Sequence, residues 1–428
     1  MKSSFKIIVS ILILHMSVGC ISKKEDHKEV KKVIKKEMTA AKILGNPDYV
    51  AISYGGYREK SRDAQPTLAQ LKEDLKLMHA MGIRVLRTYN VQPNLPHASN
   101  VLEAISQLKK EDSNFEMYVM LGAWIDCLNA WTVKVPNHQI ESDQNEGEIA
   151  RAVALAKQYP EIVKVIAVGN EAMVKWAASY FVQPSVILKW VDHLQDLKNS
   201  GELSKDLWIT SSDDFSSWGG GDPLYHTADL EKLIKAVDYI SMHTYPYHNS
   251  HYNPVFWKTP YHLRNLSDKE KVDAAMSRAL NFAKNQYKGV LNYMKSLGVD
   301  KPIHIGETGW ASISNGHYGV NGSRASDEYK QGIYYKSLRE WTKKEKISCF
   351  YFEAFDEQWK DAQNVNGSEN HFGLINLKGE AKYALWDLVD KDVFKGESRN
   401  GKSISKTYNG DIEVLMKNVL VPNTEYNR

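Results

Sequence analysis

Short apolar runs, each stopped by turn residues, recur along the chain and alternate with stretches of helical periodicity. The runs are YVAISYGG from 49, IRVLRTYN from 83, FEMYVMLGAW from 115 and VKVIAVGNE from 163. LWITSSDDF from 207, VDYISMHTYPY from 237, KPIHIGETGW from 301 and ISCFYFEAFDEQW from 347 complete them. Near-continuous apolar character suits strands covered on both faces. Between the first two runs, TLAQLKEDLKLMHAMG puts Leu68, Leu71, Leu75 and Met78 on one helical face, with Pro66-Thr67 at its start and Gly82 at its end. Further helical stretches fall near 99–110, 146–158, 184–199, 227–236, 268–297, 326–345 and 380–391. Eight strand–helix alternations predict an α/β protein, a (β/α)8 TIM barrel over residues 46–391. Residues 392–428, including DIEVLMKNVLVP, fall outside that pattern and are expected to form a strand packed on the barrel's exterior, or to trail from it.

In such a barrel, functional side chains sit where strands end, at the carboxyl face. The stretch VIAVGNEAMVKW presents Asn170 and Glu171 where the fourth strand stops, and IHIGETGW presents Glu307 at the end of the seventh. Taken singly, Asn170 is a good helix cap and Glu171 suits the positive end of a following helix. Taken together, two carboxyl groups on opposite walls of one mouth divide the roles of proton donor and nucleophile. Glycosidic bonds are cut by such a pair, and a separation of about 5–5.5 Å gives retention of anomeric configuration.

Charge narrows the partners. The formal net charge is +3, but residues 1–37 hold nine Lys against four acids, which leaves the remainder at −2. The body is not basic, and nucleic acid is not an expected partner. At the N-terminus, two lysines and the apolar run Ile7 to Leu14 read as a signal peptide over residues 1–20, since the run is too short for a permanent span. It ends in Ser17-Val18-Gly19-Cys20, which resembles a bacterial lipobox with serine in place of the usual leucine. Cys20 is therefore the expected lipidation site, with ordinary secretion as the alternative. An exported lipoprotein of the outer membrane or periplasmic face follows, on a charged tether over residues 21–45. Cys127 and Cys349 are expected to be free core thiols.

The set VGNE, ETGW, DYISMHTYPY and FEAFDEQWK…SENHFGL resembles family 17 glycoside hydrolases, the plant-type β-1,3-glucanases, in order over about residues 48 to 390. The resemblance implies a retaining (β/α)8 enzyme with Glu171 as acid/base and Glu307 as nucleophile. It implies that Asn170 binds the sugar 2-hydroxyl, that Tyr245 orients the nucleophile, and that Glu357, Lys360 and Glu369 bind substrate. Tyr54 and Tyr89, at the first two strand ends, and Phe355, in the eighth, are further substrate-binding candidates. The proline that commonly follows ETGW is absent, the sequence here being ETGWAS.

Several residues carry two readings. Glu357 and Lys360 as an exposed ion pair would contribute little; the HFGL that follows favours a site. Trp310 is either core or, at the rim, a subsite floor for the apolar face of a sugar. His243 is a satisfied barrel histidine in preference to a metal ligand. Trp124, Trp131, Phe215, Trp218, Tyr247, Tyr252, Phe256 and Trp257 lie in loop-like segments and collectively suit a cleft for an extended polysaccharide. SSWGGGD at 216–222 marks a mobile or tightly turning loop. No metal or cofactor is implied, and a monomer is expected. The expected activity is a retaining endo-β-1,3-glucanase on laminarin-like glucan. A transglycosylase or exo-acting enzyme of the same fold stands as the alternative, and a non-catalytic surface glycan-binding protein as a third reading.

Overall fold

A computed structural model describes residues 38–425. The eight apolar runs form strands β1 (Val50–Ser53), β2 (Ile83–Arg87), β3 (Tyr118–Ala123) and β4 (Val163–Asn170), then β5 (Trp208–Asp214), β6 (Ile240–His243), β7 (Ile303–Gly309) and β8 (Cys349–Phe352). Each pairs in parallel with its sequence neighbours and β1 pairs with β8, closing the (β/α)8 barrel. The intervening helices are α1 (Leu68–Ala80), α2 (His97–Glu111), α3 (Gln144–Gln158) and α4 (Pro184–Asn199). They continue as α5 (Ala228–Ala236), α6 (Asp268–Ser296), α7 (Glu328–Lys344) and α8 (Trp386–Asp390). Local chemistry sets their starts: Thr67–Gln70 and Ser267–Glu270 form reciprocal capping boxes at α1 and α6.

Side-chain alternation divides the interior. Leu86, Val119, Ile166, Ile209, Met242 and Ile305 pack into the layer beneath the helices. Ala51, Val85, Met120, Val165, Ala167 and Phe350 form a second apolar cluster inside the barrel, closed by Ala40, Ile43 and Leu44 from a short helix. The tether expected to reach residue 45 thus gives way earlier, because the apolar residues of Ala40–Ile43 have a core to bury in. Cys20 and the expected signal peptide and tether up to residue 37 lie outside the described residues. Above the apolar plug the inward positions turn polar: Ser53, Arg87, Thr210, Ser212, Ser241 and His243 are all buried.

Two expectations change at the C-terminal end. The helix expected over 380–391 is reduced to Trp386–Asp390, because Glu380–Ala381 pairs as a strand with Ser405–Lys406 and Lys382 is fixed by a 2.7 Å ion pair to Asp356. Beyond residue 391 the chain packs on the barrel, and DIEVLMKNVLVP forms a helix, Ile412–Lys417, in place of the expected strand. Arg399 bonds Asp74 of α1 at 2.9 Å, Thr407 bonds Glu328 of α7, Leu415 is buried and Leu420 N–H donates to Asp327 at 3.0 Å. Cys127 and Cys349 are free and buried.

Candidate active site

The fourth strand stops on a sharp bend. Gly169 and Glu171 both have positive φ, 81° and 47°, and a Cβ at Gly169 would lie 2.8 Å from that of Ala172. A left-handed glutamate is uncommon and marks a position held by its surroundings. The next helix starts only at Pro184, so neither Asn170 nor Glu171 caps it. Glu307 likewise lies inside β7, well before α7 begins at Glu328. Helix capping explains neither residue.

The two carboxyl groups have opposite surroundings. Glu307 accepts hydrogen bonds from Arg87 at 2.5 Å, Tyr89 at 2.9 Å and Tyr245 at 2.6 Å. Arg87 also donates to the Gly306 carbonyl at 2.9 Å and to Asn170 Oδ1 at 2.5 Å. Strands β2 and β7 are not neighbours, so Arg87 reaches across the barrel interior and ties the two functional strand ends together. With its oxygen engaged, Asn170 keeps its amide nitrogen as a donor. Burial pushes the Glu307 carboxyl up, but Arg87, His243 and the two tyrosine hydroxyls overcome this and hold it at about 2. It is an anion at neutral pH.

Glu171 receives no such cation. Burial, then the negative charge of Glu307, raise its carboxyl to about 8 against the pull of Arg87. Its Oε1 lies 3.0 Å from His243 Nδ1, and His243 Nε2 lies 2.8 Å from Ser212 Oγ, itself 2.9 Å from Ser241 Oγ. Burial lowers the imidazole to about 4, so this histidine is neutral at pH 7 and satisfied on both nitrogens. The serine pair presses against the glycine before the nucleophile: a Cβ on Gly306 would meet Ser241 Oγ at 2.1 Å.

The eighth strand supplies a second charged group. Lys360 pairs with Glu353 at 2.6 Å and Glu357 at 3.4 Å and lies over the Phe352 ring. Glu357 is buried and accepts from Tyr57 N–H and the Trp359 indole, each at 2.9 Å. The Lys360–Glu357 pair is therefore not an exposed one. Glu369 is open to solvent yet close enough to Glu171 and Glu307 to share their field.

Three expected substrate contacts are corrected. Tyr54 is buried with its hydroxyl on Asp74 of α1 at 3.1 Å, turned toward the helix layer. Phe355 is buried against Tyr54 and the Arg399 guanidinium. Trp310 is fully buried, its indole N–H donating to Ala325 at 2.8 Å and its ring packed by Trp257 and Tyr334. In each case a large ring next to a strand end is used to seal loops onto the barrel. Trp218, Tyr247 and Trp257 are core for the same reason, whereas Trp131 and Tyr252 are exposed.

Arg87, Glu353 and Asp213 are absent from the sequence-derived set. Arg87 left a readable trace: it is a charged residue two positions after Val85, on the inward side of an otherwise apolar strand. Asp213 is buried, accepts from Met173 N–H at 2.7 Å and so supports the loop after Glu171.

Comparison with known proteins agrees with this geometry. The BtgE/BtgC glycoside hydrolase domain matches residues 51–373. The crystal structure of an endo-laminarinase from Formosa Hel1_33_131 is 64% identical, with a TM-score of 0.90 over 91% of this chain and 99% of that one. A glucan 1,3-β-glucosidase of Arthroderma benhamiae is 25% identical over 334 residues, covering 76% of this chain and 86% of that one. A β-1,3-glucanosyltransferase of Rhizomucor miehei, solved with laminaritriose, shares the fold at 19% identity and a TM-score of 0.54, over 79% and 96% of the two chains. The motifs at the strand ends, the barrel that carries them and the match over residues 51–373 lead to one assignment: the chain belongs to the BtgE/BtgC glycoside hydrolase domain family.

Proposed function

We propose that this protein is a retaining endo-β-1,3-glucanase that hydrolyses laminarin-type glucans by double displacement. The observation that carries the mechanism is the unlike surroundings of its two strand-end carboxyls. Arg87, Tyr89 and Tyr245 all donate to Glu307, which favours its anion. Buried Glu171 instead faces the neutral His243 and the charge of Glu307, which favour its acid form. Glu307, ionised and held by Tyr89, Tyr245 and Arg87, attacks the anomeric carbon. Glu171, protonated, gives its proton to the departing glycosidic oxygen. Once Glu307 is esterified its negative charge is gone, and one cause of the raised Glu171 carboxyl goes with it. Glu171 is then suited to take a proton from water, which releases the sugar and restores both groups. The β-1,3 linkage is supported by the endo-laminarinase that is 64% identical.

The test is a time course of purified protein on a linear β-1,3-gluco-oligosaccharide, with products sized by mass. Shorter products with internal cleavage are expected, and Glu307→Gln is expected to abolish them with the fold retained. Products longer than the substrate would replace hydrolysis by transglycosylation. Full residual turnover in Glu307→Gln would remove the nucleophile assignment.

The lipobox-like Ser17-Val18-Gly19-Cys20 supports a second part of the proposal, that the enzyme is exported and held at a membrane through lipidated Cys20. Cys20→Ala is expected to move it from the detergent phase to the aqueous phase in a phase-partition assay. Unchanged partition would overturn the anchor. We propose that the enzyme acts as a monomer.

A further inference from the structure

Most aromatic residues of the loops are buried, but one group at the mouth is not. The loop after β3 carries a small ribbon, Cys127–Leu128 against Asn137–Glu141, whose tip exposes Trp131 at 62%, Val133 at 106% and Val135 at 84% of full accessibility. Apolar surface held out to water at a cleft calls for an occupant. This tip is held in place. His138 stacks on Phe181 at 3.7 Å, Glu141 accepts from the Trp190 indole at 2.7 Å, and Cys127 N–H donates to Tyr180 at 3.1 Å. Trp131 itself sits at φ 61°, a left-handed conformation that a bulky side chain rarely adopts. One face of its ring stacks on Tyr180 at 4.8 Å, and Trp124 closes the group at 5.4 Å from Tyr180. Asp126 accepts from the Trp124 indole at 3.3 Å, which fixes that ring's edge.

Its place relative to the acid decides what it faces. Trp124 directly follows β3, the strand paired with β4. Tyr180 belongs to the loop that starts at Glu171 and is closed by the 2.7 Å bond from Val182 N–H to the Ala172 carbonyl. The stack therefore stands on the Glu171 side of the mouth, with β5 and β6 between it and β7, which carries Glu307. A proton donor must touch the glycosidic oxygen that leaves, so sugars beyond Glu171 belong to the departing part of the chain.

We propose that Trp131, backed by Tyr180 and Trp124, is a stacking platform for the glucosyl units on the leaving-group side of a β-1,3-glucan. This rests on the proposed glucanase activity and adds to it a binding site. A rigid platform there has two consequences. It favours internal bonds, because two or more sugars must extend past the acid. It also holds an acceptor sugar when one is present, and so governs how much glycosyl is passed to sugar instead of water.

The test compares the full-length enzyme with Trp131→Ala and Trp131→Phe on linear β-1,3-gluco-oligosaccharides of increasing length, cleaved in 18O-labelled water to locate the broken bond. Loss of one stacking face is expected to raise KM about tenfold on the longer chains. kcat is expected to change little, cleavage to move toward the reducing end, and the phenylalanine variant to recover most of the affinity. A Trp131→Ala enzyme with unaltered KM and cleavage pattern would overturn the platform alone. An equal loss on every chain length, with the cleavage pattern kept, would also overturn it and make Trp131 a structural residue. Wild-type enzyme inactive on the whole series would overturn both the platform and the glucanase activity.

Discussion

At the scale of single residues, the chemistry depends on two glutamates with the same side chain and unlike neighbours. The raised Glu171 carboxyl must be protonated and the lowered Glu307 carboxyl ionised, so kcat/KM is expected to fall as pH rises through about 8. A pH–rate profile checks this, and a rate that keeps climbing well above that value would contradict it. The same shift has a stability cost of definite sign. Between its ordinary value of 4.5 and about 8, folded Glu171 keeps a proton that the unfolded chain has lost. Folding is therefore penalised increasingly as pH rises through that window. Glu171→Gln should stabilise the protein by on the order of 2 kcal/mol near pH 9 and little near pH 4, read from melting at both. Arg87 acts on the partner. Arg87→Met leaves Glu307 buried without its cation; kcat is expected to drop by at least about a hundredfold, and the acid limb of the profile to move up. Arg87→Lys should recover only part, because an ammonium cannot reproduce the fork that holds Glu307, Gly306 and Asn170 at once.

At the scale of elements, the strands and seven of the eight helices were legible because their periodicity and caps are local properties. The eighth helix was not, since its shortening is caused by Ser405–Lys406 and Asp356, neither of which adjoins it in sequence. The same distinction holds for the site. Glu171 and Glu307 could be picked out because both lie at the carboxyl ends of buried apolar runs. Trp310, Tyr54 and Phe355 look alike in sequence whether they face the cleft or the core, and only packing directed them inward. Gly306 tests how closely β5, β6 and β7 fit. A methyl there would meet Ser241 and Ser212 hydroxyls at 2.1 and 2.4 Å. Gly306→Ala is expected to cost about 1–3 kcal/mol and to lower activity by displacing Glu307. Adding Ser241→Gly should recover part of the loss in a thermal melt.

At the scale of the whole molecule, residues beyond 391 belong to the folding unit. Asp74 is fully buried between Arg399 and Arg58 and takes the Tyr54 hydroxyl as well. Arg399→Met is expected to cost about 3 kcal/mol in chemical denaturation, because it leaves part of that buried charge uncompensated. The rate per folded molecule should be kept, since Arg399 bonds Asp74 and stacks on Phe355 and neither Glu171 nor Glu307 is among its partners. The barrel, the order of its elements and the two strand-end acids followed from periodicity and local motifs, which neighbouring residues alone establish. Protonation of the two acids, the bridge made by Arg87, the burial of Trp310 and the exposure of Trp131 did not. Each depends on groups brought together from distant strands and loops, and the field and packing they create exist only once the barrel has closed.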